Sequence, residues 1–325
     1  MTALPDARVP LDAEQAAQAF DAILDGAVDG DDIRAFLMIM SERDETSIEI
    51  AAAVRAMRAR MIPVSAPEGA IDVCGTGGDG SHSLNISTAV AIVVAACEVP
   101  VAKHGNRAAS SKAGAADTLE ALGLNLDRAS ETAEDTLGDL GICFLFAQKH
   151  HPALGRLAPI RKEIGRRTIF NLTGPAANPA GVKRQLIGVA RPDFLGVYAG
   201  ALERLGYEDA MLVAGDEPLD ELSVCHPSTF VRLGQPPARI TADDASLSHH
   251  TVDALKGGDA IYNAAALRRL LEGEEGAYRD AVLFNAAAAL MVAGHVDDWH
   301  SGVEEAAEAI DKGLAKALLD CWIAY

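Results

Sequence analysis

The stretch AIDVCGTGGDGSHSLNISTAVAIVVAACEVPVAKH, residues 70–104, decides the fold of this chain. Its first residues, AIDVC, predict a short strand, and a glycine-rich loop follows. Residues 87–98 are almost continuously apolar and predict a buried helix, and residues 99–104 predict a second strand. A strand, a helix and a strand in succession are typical of a parallel sheet that is covered by helices.

The alternation of strands and helices continues beyond this unit. Residues 112–123 predict a helix, and ICFLFA (142–147) predicts a third strand. Further strands are predicted for RQLIGVA (184–190), DAMLVAG (209–215) and DAVLFNAAAAL (280–290), with helical segments between them. We therefore expect an α/β fold with a mostly parallel central sheet that helices cover on both faces.

The N-terminal part of the chain has a different pattern. Residues 11–60 predict short amphipathic helices in series, joined by short turns. Gly26 is expected to end the first helix, and Thr46 or Ser47 is expected to cap a later one.

A break in this pattern marks a predicted domain boundary. MIPVSAPEG (61–69) contains two prolines and a glycine, which interrupt helical sequence. We therefore expect a small helical domain over residues 1–69 and a larger α/β domain over residues 70–325. Residues 151–181 interrupt the strand and helix alternation of the larger domain with Pro- and Gly-punctuated, helix-like sequence.

The composition limits which ligands the chain can bind. It has 325 residues, with 28 basic and 47 acidic side chains and a formal net charge of −19. So acidic a chain is a poor candidate for binding nucleic acid or an anionic membrane over a broad surface. We expect any anionic substrate to be held by a local cluster of basic side chains and backbone amides, or through a metal ion.

The cysteines and the apolar segments indicate the compartment. The 5 cysteines are widely spaced and include no C-x-x-C pair, so they predict neither a zinc site nor a disulfide framework. The N-terminal residues lack the basic and apolar regions of a signal peptide, and the most apolar stretch, residues 88–97, is too short to span a bilayer. We therefore expect a cytoplasmic protein that binds no membrane.

The glycine-rich loop has the G-x-G-x-x-G spacing of a dinucleotide site, at Gly75, Gly77 and Gly80. A dinucleotide site also needs an acidic residue at the end of the second strand for the ribose hydroxyls, but this strand ends in a lysine and a histidine. Asp79 within the loop would repel a bare pyrophosphate unless a cation intervened. The sequence therefore argues against a dinucleotide cofactor.

The same loop still has the features of a phosphate site. Gly75 and the pair Gly77–Gly78 permit close backbone approach and positive φ angles, so successive amides can point towards an anion. Asn85, Ser87 and Thr88 supply further donors at the start of the buried helix, where the helix dipole favours anions. The alternative is an ordinary turn between strand and helix, in which Ser87 or Thr88 serves only as an N-cap.

A second polar loop follows the second strand. KHGNRAASSK (103–112) combines basic side chains with hydroxyl and amide donors. Ligands of open parallel sheets bind at the carboxyl ends of the strands. Two donor-rich loops after neighbouring strands therefore favour a shared anion site over an ordinary solvated loop that caps a helix.

Two acidic pairs, Asp216–Glu217 and Asp220–Glu221, follow the predicted strand at 209–215. Paired carboxylates beside a polyphosphate are typical of a Mg²⁺ site that the phosphate completes. Alone, the segment would be interpreted as a solvated acidic turn. The two phosphate loops favour the magnesium site, because they need cations.

Together these motifs resemble one family, the anthranilate phosphoribosyltransferases, along nearly the whole chain. The resemblance is carried by GTGGD (75–79), NIST (85–88), KHGNRAASS (103–111), ADTLEALG (116–123), KHHPAL (149–154), RTIFNLTGPAANPAG (167–181), LDELS (219–223) and LKGGDAIYNAAALRRLL (255–271). It implies transfer of phosphoribosyl from phosphoribosyl pyrophosphate (PRPP) to the amine of anthranilate, a Mg²⁺-dependent step of tryptophan biosynthesis.

The resemblance also implies an architecture and an assembly. A small helical domain packs on the α/β domain, part of residues 151–181 returns to the helical domain, and the active site lies in the cleft between the two. Arg161 would then face the glycine loop across a hinge. Members of the family are usually homodimers, so we expect a homodimer here.

The resemblance assigns residues to each ligand. For PRPP it implies Gly75, Gly78, Asp79, Ser83, Asn85, Ile86, Ser87, Thr88, Lys103, His104, Gly105, Asn106, Arg107, Ala108, Ala109, Ser110, Ser111 and Ala115. For anthranilate it implies Gly75, Asn106 and Arg161, and for Mg²⁺ it implies Ser87, Asp220 and Glu221. Lys103 and His104 are expected to be catalytic: Lys103 takes up charge on the leaving group, and His104 acts as a base or orients the loop.

Some positions depart from the family pattern, and two other functions are to be weighed. Thr173 and Ala176 replace residues near the expected aromatic-acid pocket, and Ala113 and Ala115 stand where small hydroxyl residues are common. These changes concern fine substrate specificity. The alternatives are an enzyme like the type II pyrimidine nucleoside phosphorylases, which uses inorganic phosphate, and a non-catalytic paralogue that binds nucleic acid.

Overall fold

A computed structural model describes residues 2–108 and 112–325. Ala109, Ser110 and Ser111, which were predicted to bind PRPP, lie outside the described residues. The strands are β1 (Ile71–Gly75), β2 (Val101–Gly105), β3 (Ile142–Phe146), β4 (Arg184–Gly188), β5 (Asp209–Gly215), β6 (Ser228–Arg232) and β7 (Ala238–Ile240).

The helices surround these strands. They are α1 (Ala13–Asp25), α2 (Gly30–Glu42), α3 (Ser47–Arg58), α4 (Ile86–Ala96), α5 (Ala115–Leu122), α6 (Leu126–Glu131), α7 (Ala133–Leu140), α8 (Ala147–His150), α9 (Ala158–Ile164), α10 (Ile169–Ala176), α11 (Leu195–Arg204), α12 (Ala260–Leu271), α13 (Ala277–Ala293), α14 (Trp299–Asp311) and α15 (Leu314–Ala324). Within the described ranges, no helix combines the length and the apolar character needed to cross a membrane.

The strands form a single sheet in the order β3-β2-β1-β4-β5-β6-β7. The first five strands in the chain are parallel, and β6 and β7 add an antiparallel edge. This confirms the mostly parallel α/β fold predicted from the sequence. The chain builds outward from β1 on one side and then returns to lay β4 on the other side, so the topological switch point lies between β1 and β4. Ligands of open α/β sheets bind in the crevice at such a point.

Two helices fill the core on one face of the sheet. The predicted buried helix is α4, whose residues from Thr88 to Ala95 are almost fully buried. The prediction of a strand over 280–290 is wrong, because this segment lies in the 17-residue helix α13, which packs against α4. A fully buried helix and a buried strand are both continuously apolar, and periodicity does not separate them. The alanine-rich composition favours the helix.

The N-terminal helices end where the sequence indicates. Gly26 adopts a left-handed conformation with φ of 73° and ends α1, and the Thr46 side chain caps α3 by accepting from the backbone N–H of Glu49. Both expectations are confirmed. The choice between Thr46 and Ser47 falls on Thr46, because Ser47 is already the first helical residue.

The apolar core of the helical region extends into the rest of the chain. Phe20 of α1 contacts Phe36 of α2 and Phe170 of α10, with ring centroids 6.3 and 6.2 Å away. The same cluster of buried side chains includes residues of β4, β5 and α11. Residues within 151–181 therefore pack with the N-terminal helices. The division at residue 69 stays a prediction, since one continuous core crosses it.

Candidate active site

Two glycines at the switch point make room for Asp220. Gly75 ends β1 and pairs in register with Gly188, which ends β4. A Cβ atom on Gly75 would lie 2.2 Å from Asp220 Oδ2, and one on Gly188 would lie 1.5 Å from the Asp220 carbonyl oxygen. The sequence indicated Gly75 as a site of close approach. Gly188 was missed, because only the strand register shows that it faces the same segment.

The glycine loop itself turns as predicted at Gly77 and Gly78 but not at Gly75. Gly77 and Gly78 have φ angles of 66° and 79°, in the left-handed region that favours glycine, whereas Gly75 does not. Gly75 is therefore needed for space and not for its φ angle. Gly77 donates its backbone N–H to Asp220 Oδ2 at 2.8 Å, which ties the loop to the acidic segment.

Three carboxylates converge on this loop. Asp79 Oδ2 accepts from the backbone N–H of Asp220 at 3.3 Å, and the Glu221 carboxylate lies close enough to Asp79, Asp220 and Lys103 for their charges to shift its pKa. Burial and the negative charge of Asp79 raise the pKa of Asp220 to about 7. Burial and the neighbouring Asp220 raise the pKa of Glu221 well above its usual value. The chain has thus placed acidic groups where they repel one another and lose solvation.

The other acidic pair is engaged elsewhere. Asp216 forms an ion pair with the guanidinium of Arg239, and Glu217 accepts a hydrogen bond from the Ser223 hydroxyl. Among the residues that the structure describes, neither side chain has a hydrogen bond or ion pair with the glycine loop. The geometry therefore favours Asp220–Glu221 over Asp216–Glu217 as the pair beside the phosphate site.

The donor set at the loop fits a hard divalent cation. Carboxylate and hydroxyl oxygens of Asp220, Glu221 and Ser87 are the ligand types that Mg²⁺ prefers. A cation would also relieve the repulsion that raises the pKa values of Asp220 and Glu221. Among the described residues, no three His, Cys, Asp or Glu side chains already stand in metal-binding geometry. A Mg²⁺ ion here therefore needs oxygens from water and phosphate, as is usual for this ion.

Lys103 places a positive charge under the loop. Its side chain is 2% exposed, and Nζ donates to the Val73 carbonyl at 2.7 Å and to Ser87 Oγ at 3.4 Å. It also acts on the buried carboxylates of Asp72 and Glu221, whose pKa values its charge lowers against the larger effect of burial. These two hydrogen bonds hold the ammonium group in place, so its positive charge acts on the site from a fixed position.

A buried polar network below Lys103 was not found from the sequence. Asp72 accepts hydrogen bonds from the backbone N–H of His104 at 3.1 Å, from Asn178 Nδ2 at 2.8 Å and from Gln185 Nε2 at 3.0 Å. The carboxylate thereby joins β1, β2 and β4 beneath the switch point. An aspartate inside an apolar strand was the available signal.

His104 is buried and neutral. Its side chain lies in the interior with Nδ1 3.1 Å from the Gly174 carbonyl, and burial lowers its pKa to about 3. Its ring centroid is 5.2 Å from that of His151. Of the two roles left open by the sequence, the structure favours orientation of the loop over action as a base, because the ring is held against backbone.

Because the His151 ring is buried, the free energy of unfolding is expected to fall in mild acid. Burial lowers the pKa of His151 to about 4, so the unfolded chain binds a proton there from about pH 6.5 downwards while the folded chain does not. Its contribution to stability is therefore present above pH 6.5 and is lost as the pH falls towards 4. His151→Asn should reduce the drop in unfolding free energy between pH 7.5 and pH 5.0 by about 2 kcal/mol.

Urea unfolding curves at the two pH values measure this effect. His300→Asn is the matched control, because His300 has a 64% exposed side chain and should leave the pH dependence as it is. Equal pH dependence in His151→Asn and the unsubstituted chain would contradict the assignment of a neutral buried ring.

The base of the second loop is closed by ion pairs. Arg107 contacts the carboxylates of Asp117 and Glu120, both at 2.9 Å. Asp117 also accepts from the backbone N–H groups of Ala108 and Gly114, both at 2.9 Å. The Arg107 guanidinium, predicted to serve PRPP, is thus already paired within the loop. It orients the Asp117 carboxylate, which in turn bonds both Ala108 and Gly114.

The remaining residues predicted for PRPP have different surroundings. Ile86 and Thr88 are each 1% exposed, and the Thr88 hydroxyl has no hydrogen-bond partner among the described residues. Ser83 forms an isolated bridge with Lys256. A Cβ on Gly105 would lie 2.8 Å from the Phe144 ring, and Ala115 begins α5.

The residues predicted for anthranilate lie on separate elements. Asn106 is exposed after β2, and its Oδ1 accepts from the backbone N–H of Arg107 at 2.8 Å. Arg161 lies on α9, which packs on α2. The guanidinium of Arg161 has no hydrogen bond or ion pair with any residue in the described ranges, and burial lowers its pKa. A half-buried, unpaired guanidinium is suited to a carboxylate ligand.

Comparisons with known proteins agree with this geometry. Residues 6–61 match the glycosyl transferase family, helical bundle domain, and residues 67–316 match the glycosyl transferase family, a/b domain. The chain is 66% identical to the anthranilate phosphoribosyltransferase of Novosphingobium aromaticivorans, over 100% of this chain and 99% of that protein. It is 63% identical to that of Sphingopyxis alaskensis, over 99% and 98%.

Solved structures with this fold carry the same name. The anthranilate phosphoribosyltransferase from Thermus thermophilus superposes with a TM-score of 0.93 at 41% identity, over 100% of this chain and 99% of that one. The Saccharomyces cerevisiae enzyme in complex with PRPP and Mg has a TM-score of 0.90 at 26% identity, over 97% and 93%. Sequence and structure therefore place the chain in the anthranilate phosphoribosyltransferase family.

Proposed function

We propose that this chain transfers the phosphoribosyl group of PRPP to the amine of anthranilate and releases pyrophosphate. The observation that carries the proposal is the convergence of Asp79, Asp220 and Glu221 on the glycine loop at the switch point. Buried, mutually repelling carboxylates beside an anion-binding loop fit a phosphate ligand only with an intervening cation. The product, N-(5-phosphoribosyl)anthranilate, would serve tryptophan biosynthesis.

The metal ion and the glycine loop are both expected to stabilise the pyrophosphate leaving group. Ser87, Asp220 and Glu221 would hold Mg²⁺, which, when bound, neutralises charge on the pyrophosphate. The backbone amides of Gly78 and Asp79 would face the pyrophosphate, because those of Thr76 and Gly77 are donated to Gly188 and Asp220. Lys103, fixed beneath Ser87, supplies a buried positive charge that is worth more as negative charge develops on the departing oxygen.

Positioning accounts for the rest of the reaction. The bond between C1 of the ribose and the pyrophosphate oxygen breaks as the anthranilate nitrogen forms its bond to C1, with inversion at that carbon. An aromatic amine is a neutral nucleophile, so it needs alignment more than activation. The nitrogen loses its proton to solvent water after attack, and no side chain is assigned as its base, since His104 Nδ1 is engaged with the Gly174 carbonyl.

Anthranilate would be held through its carboxylate. Arg161 offers a planar fork that bonds both carboxylate oxygens, with Asn106 and the backbone at Gly75 as the further predicted contacts. The unpaired state of the Arg161 guanidinium within the described ranges supports this assignment. Two other cations of its segment are engaged: Arg166 pairs with Glu42 and Arg167 with Glu45.

Arg161→Ala is expected to raise the KM for anthranilate about 50-fold, with a much smaller change in the KM for PRPP, because only the carboxylate contact is lost. Arg161→Lys should recover part of the loss, since it keeps the charge but not the fork. Initial rates over both substrate concentrations measure the effect. Lys162→Ala, at the exposed neighbouring position, is the control, and an unchanged anthranilate KM in Arg161→Ala would contradict the proposal.

The rival functions make different demands on the site. A pyrimidine nucleoside phosphorylase would consume inorganic phosphate and a nucleoside, and it would not require Asp220–Glu221 or Arg161. The named relatives support neither this activity nor nucleic-acid binding. Incubation with thymidine and phosphate, beside PRPP and anthranilate, tests the difference directly. Phosphorolysis without use of PRPP would overturn the proposal.

Assembly and location belong to the same proposal. A homodimer in the cytoplasm is supported by the family's usual assembly and by the reduced-compartment pattern of the cysteines. Sedimentation of the purified chain should show a species of twice the chain mass.

A further inference from the structure

The Asn85 side chain does not cap the helix that it precedes. Asn85 occupies the N-cap position of α4 but makes no side-chain hydrogen bond to the first turn. Asparagine at this position usually accepts from a backbone N–H of that turn. Its amide is instead held by other parts of the chain, in the middle of the predicted PRPP site.

Two donors from distant elements converge on Asn85 Oδ1. The hydroxyl of Thr118 on α5 donates to it at 2.5 Å, and Asn263 Nδ2 on α12 donates to it at 2.9 Å. Thr118 is 0% and Asn263 2% exposed. The Nδ2 of Asn85 in turn donates to the Ala113 carbonyl at 3.2 Å, at the far end of the second loop. Because both neighbours donate, the amide has one favourable orientation.

Asn263 is itself oriented by the LKGGD motif, residues 255–259. The rest of the proposed site gives this motif no role. Its Oδ1 accepts from the backbone N–H of Gly258 at 2.8 Å. The preceding Gly257 leaves no room for a side chain, since a Cβ there would lie 2.6 Å from the Ser83 carbonyl oxygen. The segment thus packs directly on the strand-like stretch that leads to Asn85.

We propose that Thr118 and Asn263 are positioning residues for PRPP, which act by fixing the Asn85 amide between the two phosphate loops. The inference rests on the proposed function. Loss of either donor loosens the Asn85 amide and weakens its bond to the Ala113 carbonyl, so the spacing of the two loops around the pyrophosphate is less well fixed. The binding of anthranilate, whose carboxylate is expected to contact Arg161, should change little.

Thr118→Val tests this with a change of nearly equal shape that removes only the hydroxyl. We expect the KM for PRPP to rise about tenfold, while the KM for anthranilate and kcat at saturating PRPP stay within about twofold. Thr118→Ser keeps the donor and should retain the original KM. Thr136→Val is the control, because the hydroxyl of this buried threonine, within the described part of the chain, donates only to the Ala133 carbonyl of its own helix, α7.

A double-variant cycle separates positioning from general destabilisation. Asn263→Ala should raise the KM for PRPP like Thr118→Val, and Thr118→Val should add less than about twofold when Asn85→Ala is already present. Equal effects with and without Asn85, or an unchanged KM for PRPP in both single variants, would overturn the inference. An unsubstituted chain that binds no PRPP would instead overturn the proposed function.

Discussion

Gly188→Ala is expected to lower kcat/KM by about a hundredfold or more, although Gly188 contacts no predicted ligand. Its added Cβ would lie 1.5 Å from the carbonyl oxygen of Asp220, so the acidic segment must move away from the ends of β1 and β4. A displacement of about 1 Å in a catalytic group costs on the order of a hundredfold in rate. Steady-state kinetics at several Mg²⁺ concentrations measure the loss.

The control for this substitution is Gly196→Ala. Gly196 lies within α11, has no heavy atom within 4 Å of its would-be Cβ and shows no positive φ. Alanine there should preserve activity and should not destabilise the chain, since alanine favours helices over glycine. Full activity in Gly188→Ala would contradict this prediction, because the reaction would then not depend on the observed position of Asp220.

Asp220→Asn combined with Glu221→Gln is expected to raise the Mg²⁺ concentration for half-maximal activity about a hundredfold. The amides keep the shape of the side chains and leave an oxygen for the Gly77 N–H, but they remove two negative charges from the site. Those charges are held against burial and mutual repulsion, as the raised pKa values show. Without Mg²⁺, the variant should therefore be no less stable than the unsubstituted chain.

Asp216→Asn with Glu217→Gln makes the same chemical change at the neighbouring acidic pair. Asp216 is paired with Arg239 and Glu217 with Ser223, so this variant should keep the original Mg²⁺ dependence. Rates measured across a Mg²⁺ titration distinguish the two pairs. Equal Mg²⁺ dependence in both double variants would contradict the assignment of the metal to Asp220–Glu221.

Local features of the sequence predicted much of the fold. The βαβ unit over 70–104, the end of α1 at Gly26 and the cap of α3 at Thr46 follow from short-range preferences that tertiary packing did not override. The segment at 280–290 was wrongly predicted as a strand, because a helix buried on all sides has no polar face to reveal its period. The short antiparallel strands β6 and β7 had no clear sequence pattern and were not predicted.

The candidate site was predictable where the motif residues are close in sequence, and not where the sheet brings them together. The glycine loop and the acidic pair were found from their composition. Gly188, Asp72 and Asn263 were not, because their roles depend on contacts with residues far along the chain. Arg107 was predicted to bind a ligand because it is a basic residue in the second loop. In the fold its guanidinium is instead paired with Asp117 and Glu120.

The most direct test of the account is turnover by the purified chain with PRPP, anthranilate and Mg²⁺. Loss of anthranilate fluorescence, followed together with pyrophosphate release, reports both sides of the transfer. We expect the two to occur in equal amounts and only when PRPP, anthranilate and Mg²⁺ are all present. Binding of PRPP without any consumption of anthranilate would contradict it.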